Sequence, residues 1–179
     1  LLIGTQEQLK GAFALNAHIR YECAEDAIAV EAVCAAAFGP GRHAKVSARV
    51  RERARLNLAL SQVAVLDGAI AGCCRIYDVS IGASPALFLG PLAVHPHVQA
   101  GGLGRALIAA AIGACDAHTC ALLVVGQPRL FEPFGFARAP EGRVLLPGPV
   151  EARRFQWRAC GGIDLTPLAG VVSPPRAAN

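Results

Sequence analysis

Leu89-Gly90-Pro91-Leu92-Ala93-Val94-His95-Pro96-His97-Val98-Gln99-Ala100-Gly101-Gly102-Leu103-Gly104-Arg105-Ala106-Leu107-Ile108 is the stretch that decides the fold. An apolar run ends at Val94. A Pro follows, then a glycine-dense turn, then an Ala/Leu/Ile run too long for a strand, which reads as strand, turn, helix. Gly101, Gly102 and Gly104 fall where the helix begins, and without Cβ atoms there the backbone N–H groups can close on a ligand. Those N–H groups have no partner inside the helix, and the helix dipole adds positive character. Together they suit an anion such as a phosphate. Arg105 adds a full positive charge beside them.

Two familiar phosphate loops do not fit. A Walker A loop ends in Gly-Lys-Ser/Thr, and Gly104-Arg105-Ala106 supplies neither the Lys nor the hydroxyl. The dinucleotide fingerprint needs a third small residue where Leu107 stands and an acid about twenty residues on, where the chain reads Leu122-Leu123-Val124-Val125. What does fit is Val-x-Pro-x-x-Gln-x-x-Gly-x-Gly, read as Val94, Pro96, Gln99, Gly102 and Gly104. This resembles the pyrophosphate-binding motif of the GNAT superfamily, the acyl-CoA-dependent N-acyltransferases. Downstream, Val124-Val125-Gly126-Gln127-Pro128-Arg129-Leu130-Phe131-Glu132-Pro133-Phe134-Gly135-Phe136 looks like that family's fifth strand, short helix and closing Phe-Gly-Phe. The resemblance covers residues 19–136 in order and extends to 160.

The resemblance implies an α/β chain of GNAT fold, with a mixed, splayed central sheet of about seven strands flanked by helices. It implies one N-acetyltransferase-like domain over 1–179, its core at 19–160 and a tail from 173. The implied reaction moves an acetyl group from acetyl-CoA to a primary amine of a small molecule or peptide, by direct attack on the thioester. Carried over, Leu92, Ala93 and Val94 offer backbone groups to pantetheine. Gln99, Ala100, Gly101, Gly102, Leu103, Gly104 and Arg105 hold the pyrophosphate. An N–H near Val94 stabilises the oxyanion. Pro91 lacks an N–H and marks the expected bulge before the splay.

The family's usual acid is a Tyr four residues before the Gly of Phe-Gly-Phe. Here Phe131 holds that position, after Leu130, and a phenyl ring cannot donate a proton. The thiolate then leaves unassisted, another group donates, or the protein binds acyl-CoA without fast transfer. A non-catalytic acyl-CoA binding or sensing domain is therefore one alternative. A nucleotide-binding protein using the same glycine turn is the other. The base is open too. His95 is the nearest titratable group and, at a reference pKa of about 6.5, suits base work; its plainer reading is a solvent-facing loop histidine. Glu132 is a second candidate, its plainer reading a surface carboxylate. Tyr77 and Asp78 share a strand whose alternation turns one of them away from the cleft.

Composition bounds the rest. With 179 residues one domain is expected, and 54% hydrophobic against 17% charged residues argues against disorder. No apolar run reaches the roughly 18 residues of a membrane span, so no membrane partner is expected. The net charge of +4 favours an anionic cosubstrate but is a poor argument for nucleic acid. Seven Cys, with no C-x-x-C pair, read as small hydrophobes in a reducing cytoplasm, without disulfides or a metal site. The partners expected are acetyl-CoA and an amine acceptor, and a homodimer is compatible with the resemblance.

Along the chain, residues 1–17 have no clear pattern and 19–22 read as a strand. Glu25 and Asp26 open a helix that ends near Phe38. A helix over 45–58 is predicted from Val46, Val50, Ala54 and Leu58 at four-residue steps. Its other face, with Arg49, Arg51, Glu52, Arg53 and Arg55, reads as solvated surface or, more sharply, as a rim that attracts acidic substrates. Strands over 62–66 and 69–81 flank an Asp67-Gly68 hairpin turn, and a third runs over 86–94. A helix over 102–118, apolar nearly all round and so expected to be well buried, crosses to a parallel strand over 120–126. Residues 130–133 form a helical turn. A last strand lies within 153–160, with Trp157 as a core or lid residue. The loops at 39–44 and 142–150 carry no recognisable acceptor code.

Overall fold

The longest strands build the frame. β4 (Ala69–Ile81) and β5 (Ser84–Val94) pair antiparallel around the Gly82-Ala83 turn, and β3 (Gln62–Leu66) joins β4 on the other side. This computed structural model describes residues 17–40 and 46–175. The unpatterned stretch over 1–16, the loop at 41–45 with the expected helix start at Lys45, and the tail at 176–179 lie outside them. The β3–β4 turn is Asp67-Gly68, as its sequence predicts. Both residues have positive φ, 50° and 80°, which a two-residue primed turn demands and which Asp and Gly tolerate best.

β1 (Ala17–Tyr21) pairs with β3, and beyond β5 the sheet continues with β6 (Cys120–Val125), β9 (Phe155–Cys160) and the short β7 (Ala137–Arg138). The order β1-β3-β4-β5-β6-β9-β7 gives the expected seven-strand path. It is mixed: β6 runs parallel to β5, and the other neighbours along the path are antiparallel. The parallel pair needs a crossover, which the intervening helix supplies.

Helices cover both faces. α1 (Ala27–Phe38) buries Val30, Val33 and Cys34 on Val63, Cys73 and Ala93. α2 (Val46–Arg53) buries Ala48 and Val50, the latter in a cluster with Val79, Phe88, Leu123 and Trp157. On the opposite face, α3 (Leu103–Cys115) sets Leu107, Ile108, Ala111, Ile112 and Cys115 against Cys74, Ile76, Leu89, Leu122 and Val124. Each large aliphatic side chain buried there stabilises the fold by about 1.5–3 kcal/mol. No helix of the described residues is long and apolar enough to cross a membrane.

Four expectations need correction. The helix over 45–58 ends at Arg53, and Arg55–Leu56 forms β2, paired with β4. The apolar four-residue steps run on past the true end. Asp78 draws the segment to the sheet, accepting from Arg55 Nε at 2.9 Å and from Asn57 Nδ2 at 2.8 Å. The helix over 102–118 is shorter, and it is amphipathic: Arg105, Ala106, Ala109 and Gly113 are exposed. Its solvent face is made of small residues, which hides the period from a hydropathy count. The turn before it is itself helical, a 3-10 segment over Pro96–Gly101. Finally, β10 (Gly170–Ser173) was not foreseen. It pairs antiparallel with β4 and parallel with β8 (Val144–Leu145). Gly82 and Gly170 meet so closely that a Cβ on Gly170 would lie 2.8 Å from the Gly82 Cα.

Candidate functional site

The site begins where β5 and β6 separate. Their parallel pairing runs from Ala86↔Ala121 to Leu89↔Val124 and stops, while β5 continues to Val94. At the same place β5 changes register against β4. Ile76 faces Leu89 and Cys74 faces Leu92, so Gly90 and Pro91 together oppose Arg75. This is a β-bulge, and bulges re-aim strands at sites. Gly90 has φ +136°, which side-chain-bearing residues rarely adopt.

A cavity of about 650 Å³ occupies the gap. Gly90, Pro91 and Leu92 form one wall and Val124, Val125, Gly126 and Gln127 the other, with Leu130 and Phe131 of α4 (Pro128–Phe131) completing it. Cys34 and Phe38 of α1 and Ala48 and Arg51 of α2 close it from the helical side.

Of the expected diphosphate-binding residues, Gln99, Ala100 and Gly101 lie in the 3-10 segment, and Leu103, Gly104 and Arg105 form the first turn of α3. Gly102 joins the two in the left-handed conformation, φ 76° and ψ 1°. Its carbonyl takes the N–H groups of Arg105 and Ala106, at 3.0 and 3.2 Å, so α3 opens on that carbonyl. A Cβ at Gly101 or Gly102 would meet no atom within 4 Å: this bend is open, and it is not packed under other residues. A Cβ at Gly104 would lie 3.7 Å from Val94 Cγ2, so the start of α3 sits against the end of β5. The Arg105 guanidinium lies over the Phe134 ring at 5.5 Å, joining the two quoted motifs. Leu92 is the expected pantetheine residue in the cavity wall. Ala93 is buried toward α1, and Val94 packs on the α3 side.

The acid–base candidates separate cleanly. His95 is not in the cavity wall: its N–H donates to Ala71 O at 2.8 Å and its ring lies 5.1 Å from that of His97. Glu132 is exposed in the turn Glu132–Phe134, also off the wall. Alternation settles the β4 pair: Tyr77 lines the cavity and Asp78 is held by Arg55 and Asn57. Burial pushes the Tyr77 phenol up. Phe131, at the position the resemblance gives to the acid, does stand in the wall. It is 3% exposed, edge-on to Phe136 at 5.6 Å, and so close to Gly126 that a Cβ there would fall 2.2 Å from its ring.

Two features, Arg75 and Cys34, escaped the sequence reading, and a third, Arg51, falls on the face that the sequence reads as solvated surface or as a rim for acidic substrates. Arg75, at the bulge, donates from Nε to both Glu22 oxygens at 2.9 and 3.0 Å, and the Glu22 side chain is fully buried. Burial alone would lower the guanidinium, but the Glu22 bonds hold it above its ordinary value. Arg51 turns from the supposed solvated face into the cavity, where burial lowers its guanidinium. Cys34 lies in the wall with its Sγ 3.7 Å from that of Cys73. A weak signal existed for the two arginines, since Arg75 is two residues from Tyr77 on one strand face and Arg51 is three from Ala48 on α2. Of the seven thiols six are buried and only Cys23 is exposed, and burial pushes Cys115 up to about 12. Among the described residues no three His, Cys, Asp or Glu side chains group as a metal site.

Residues 59–138 match the family model described as acetyltransferase (GNAT) domain. Over nearly its whole length the fold is similar to the GNAT family N-acetyltransferase YhbS of Escherichia coli, solved in complex with CoA. Identity is 26%, coverage 90% of this chain and 91% of that one, and the TM-score 0.75. A GNAT family acetyltransferase from Brucella melitensis, solved in complex with acetyl-CoA, is 26% identical over 88% of this chain and 95% of that one, with a TM-score of 0.63. Naa50 of Arabidopsis thaliana, at 12% identity, 80% and 97% coverage and a TM-score of 0.55, shares the fold. No curated protein sequence matches. The match to the GNAT acetyltransferase family spans residues 59–138, and over nearly the whole chain the fold is that of GNAT acetyltransferases solved with CoA or acetyl-CoA.

Proposed function

We propose that this chain moves an acetyl group from acetyl-CoA to a primary amine of a small molecule or peptide, by direct attack. The observation that carries the reading is the end of β5–β6 pairing at Leu89↔Val124, with a cavity in the gap. In this reading, N–H groups of the turn from Gln99 to Arg105 take the diphosphate, at a bend with open space over Gly101 and Gly102. Pantetheine then runs along β5 beside Leu92, Ala93 and Val94. That places the thioester in the cavity near the bulge.

The amine attacks the thioester carbonyl as the free base. A backbone N–H of β5 beside the bulge, at Leu92 rather than as far along as Val94, receives the oxyanion, which collapses with release of CoA thiolate. Phe131 supplies no proton; its buried ring fills the wall and keeps water off the thioester. Tyr77 is the phenol in the same cavity, and because burial favours its neutral form it serves as a proton donor rather than a base. The ammonium proton leaves by water toward the carboxylates that border the cavity, Glu31, Glu52 and Glu151.

A second reading, an acyl-CoA binding or sensing domain without fast transfer, is favoured by Phe131 alone. A panel of amines with acetyl-CoA separates the two. CoA release above the hydrolysis rate supports transfer. Tight acetyl-CoA binding with no release supports the sensor. The buried, unpaired thiols and the CoA chemistry fit a reducing cytoplasm.

A further inference from the structure

We propose that the acceptor amine carries an anionic group, a carboxylate or a phosphate, held by Arg51 on the helical side of the cavity, with Arg154 lining the same cavity. The proposal rests on the acetyl-transfer reading and names its acceptor class.

The cavity holds three guanidinium groups, those of Arg51, Arg75 and Arg154. Arg75 is satisfied: fully buried Glu22 takes its hydrogen bonds at 2.9 and 3.0 Å. Arg51 is not. Among the described residues it makes no hydrogen bond or ion pair, yet it is drawn in from α2 until its Nη1 lies 3.6 Å from where a Gly90 Cβ would stand. Arg154 is anchored by its backbone, whose carbonyl takes the Gly126 N–H at 2.9 Å, while its Nε is buried with no partner. A cation withdrawn from water without a counter-charge is costly, so a site that keeps one is built for an anion. The planar Arg fork matches the oxygens of a carboxylate or phosphate. Burial lowering the Arg51 guanidinium points the same way, since a bound anion would reverse it.

Two other occupants can be weighed. Glu31, Glu52 and Glu151 border the cavity, but all three are exposed and Glu151 engages Arg153. The CoA diphosphate is the other anion. Gly90 lies four residues before Val94, roughly 13 Å along the strand, and the glycine turn begins beyond that. Arg51 therefore stands at the thioester end, where the acceptor meets the acetyl group.

The test uses the full chain saturated with CoA. Calorimetry compares the twenty amino acids with their amides, and 2-aminoethyl phosphate with 2-aminoethanol, so that carboxylate and phosphate are read separately. At least one anionic member should bind about tenfold tighter than its neutral partner. In Arg51→Gln that gap should fall to within about threefold, and Arg51→Lys should keep part of it. CoA affinity should not change in either variant. Neutral members binding as well as anionic ones throughout would overturn the proposal. So would a gap that survives both Arg51→Gln and Arg154→Gln, or a loss of CoA affinity in Arg51→Gln equal to the loss for the acceptor. CoA binding without acetyl transfer to any amine would instead sink the transfer reading, and the anion preference would still be measured.

Discussion

Gly102→Val tests the glycine turn most directly. Gly102 sits at φ 76° with nothing within 4 Å of a Cβ, so no packing contact is gained or lost. The cost is conformational: a left-handed residue other than Gly pays about 1–2 kcal/mol, and a β-branched one at least that. In a domain of this size each kcal/mol lowers the melting temperature by about 2–4 °C, so the protein stays folded at 25 °C. Binding should suffer more. The side chain enters the open space of the bend, and the backbone relaxes by re-aiming the N–H groups at the start of α3. Each charged hydrogen bond lost is about 1.5–3 kcal/mol, or about ten- to 150-fold in Kd. Gly104→Ala is the control. Its Cβ meets only Val94 Cγ2, at an ordinary 3.7 Å, and helix propensity improves by about 1 kcal/mol. Titration calorimetry with CoA and thermal melts on both variants read the two effects apart. If Gly102→Val melts lower but binds CoA within threefold of the parent (about 0.7 kcal/mol), the turn does not hold the diphosphate.

Other outcomes follow from the same geometry. Phe131→Tyr places a phenol at the position to which the resemblance assigns the acid; turnover should hold or rise, and a collapse would show that the ring has another job. Gly126→Ala drives a Cβ to 2.2 Å from Phe131, an overpacking expected to cost about 1–3 kcal/mol in chemical denaturation; a thermally silent variant would contradict it. Glu22→Gln strips Arg75 of its counter-charge and should lose about 3–5 kcal/mol, far more than a surface pair. Asp26 accepts from Arg20 at 2.6 and 2.8 Å and from the Cys23 N–H at 2.9 Å. The Arg20 guanidinium holds its carboxyl well below the usual range. The stability it adds is therefore complete above the unfolded value of about 3.9 and is lost as pH falls below that. Asp26→Asn should lower the melting temperature at pH 7 and flatten its decline at acid pH.

What was legible in the sequence was what local chemistry dictates. Asp67-Gly68 announces its hairpin because few residue pairs accept two positive φ angles. The run from Leu89 to Ile108 announces strand, turn and helix because Pro96 and three glycines punctuate it. What was not legible depends on partners distant in the chain. The end of α2 is set by Asp78, 23 residues from Arg55. Glu22 and Arg75 are 53 residues apart, and neither position has a pattern that announces the other. β10 is four residues held by a glycine-to-glycine approach, too short for any period to show. His95 is a candidate base only because it follows the strand in sequence; at the end of β5 its backbone N–H turns back to Ala71 and its ring lies 5.1 Å from that of His97, off the cavity wall.

The divided sheet has a consequence for the protein without its cosubstrate. Past Leu89, one border of β5 is left with no neighbouring strand, and such borders invite a second molecule to add itself and seed aggregates. Pro91 breaks that template at its first step, because a residue with no amide hydrogen cannot serve as a rung. In the proposed reading the same border takes the cosubstrate's flexible arm, so filling it would also shield the molecule from its own copies. Concentrated stocks kept with CoA should stay clear longer than stocks kept without it.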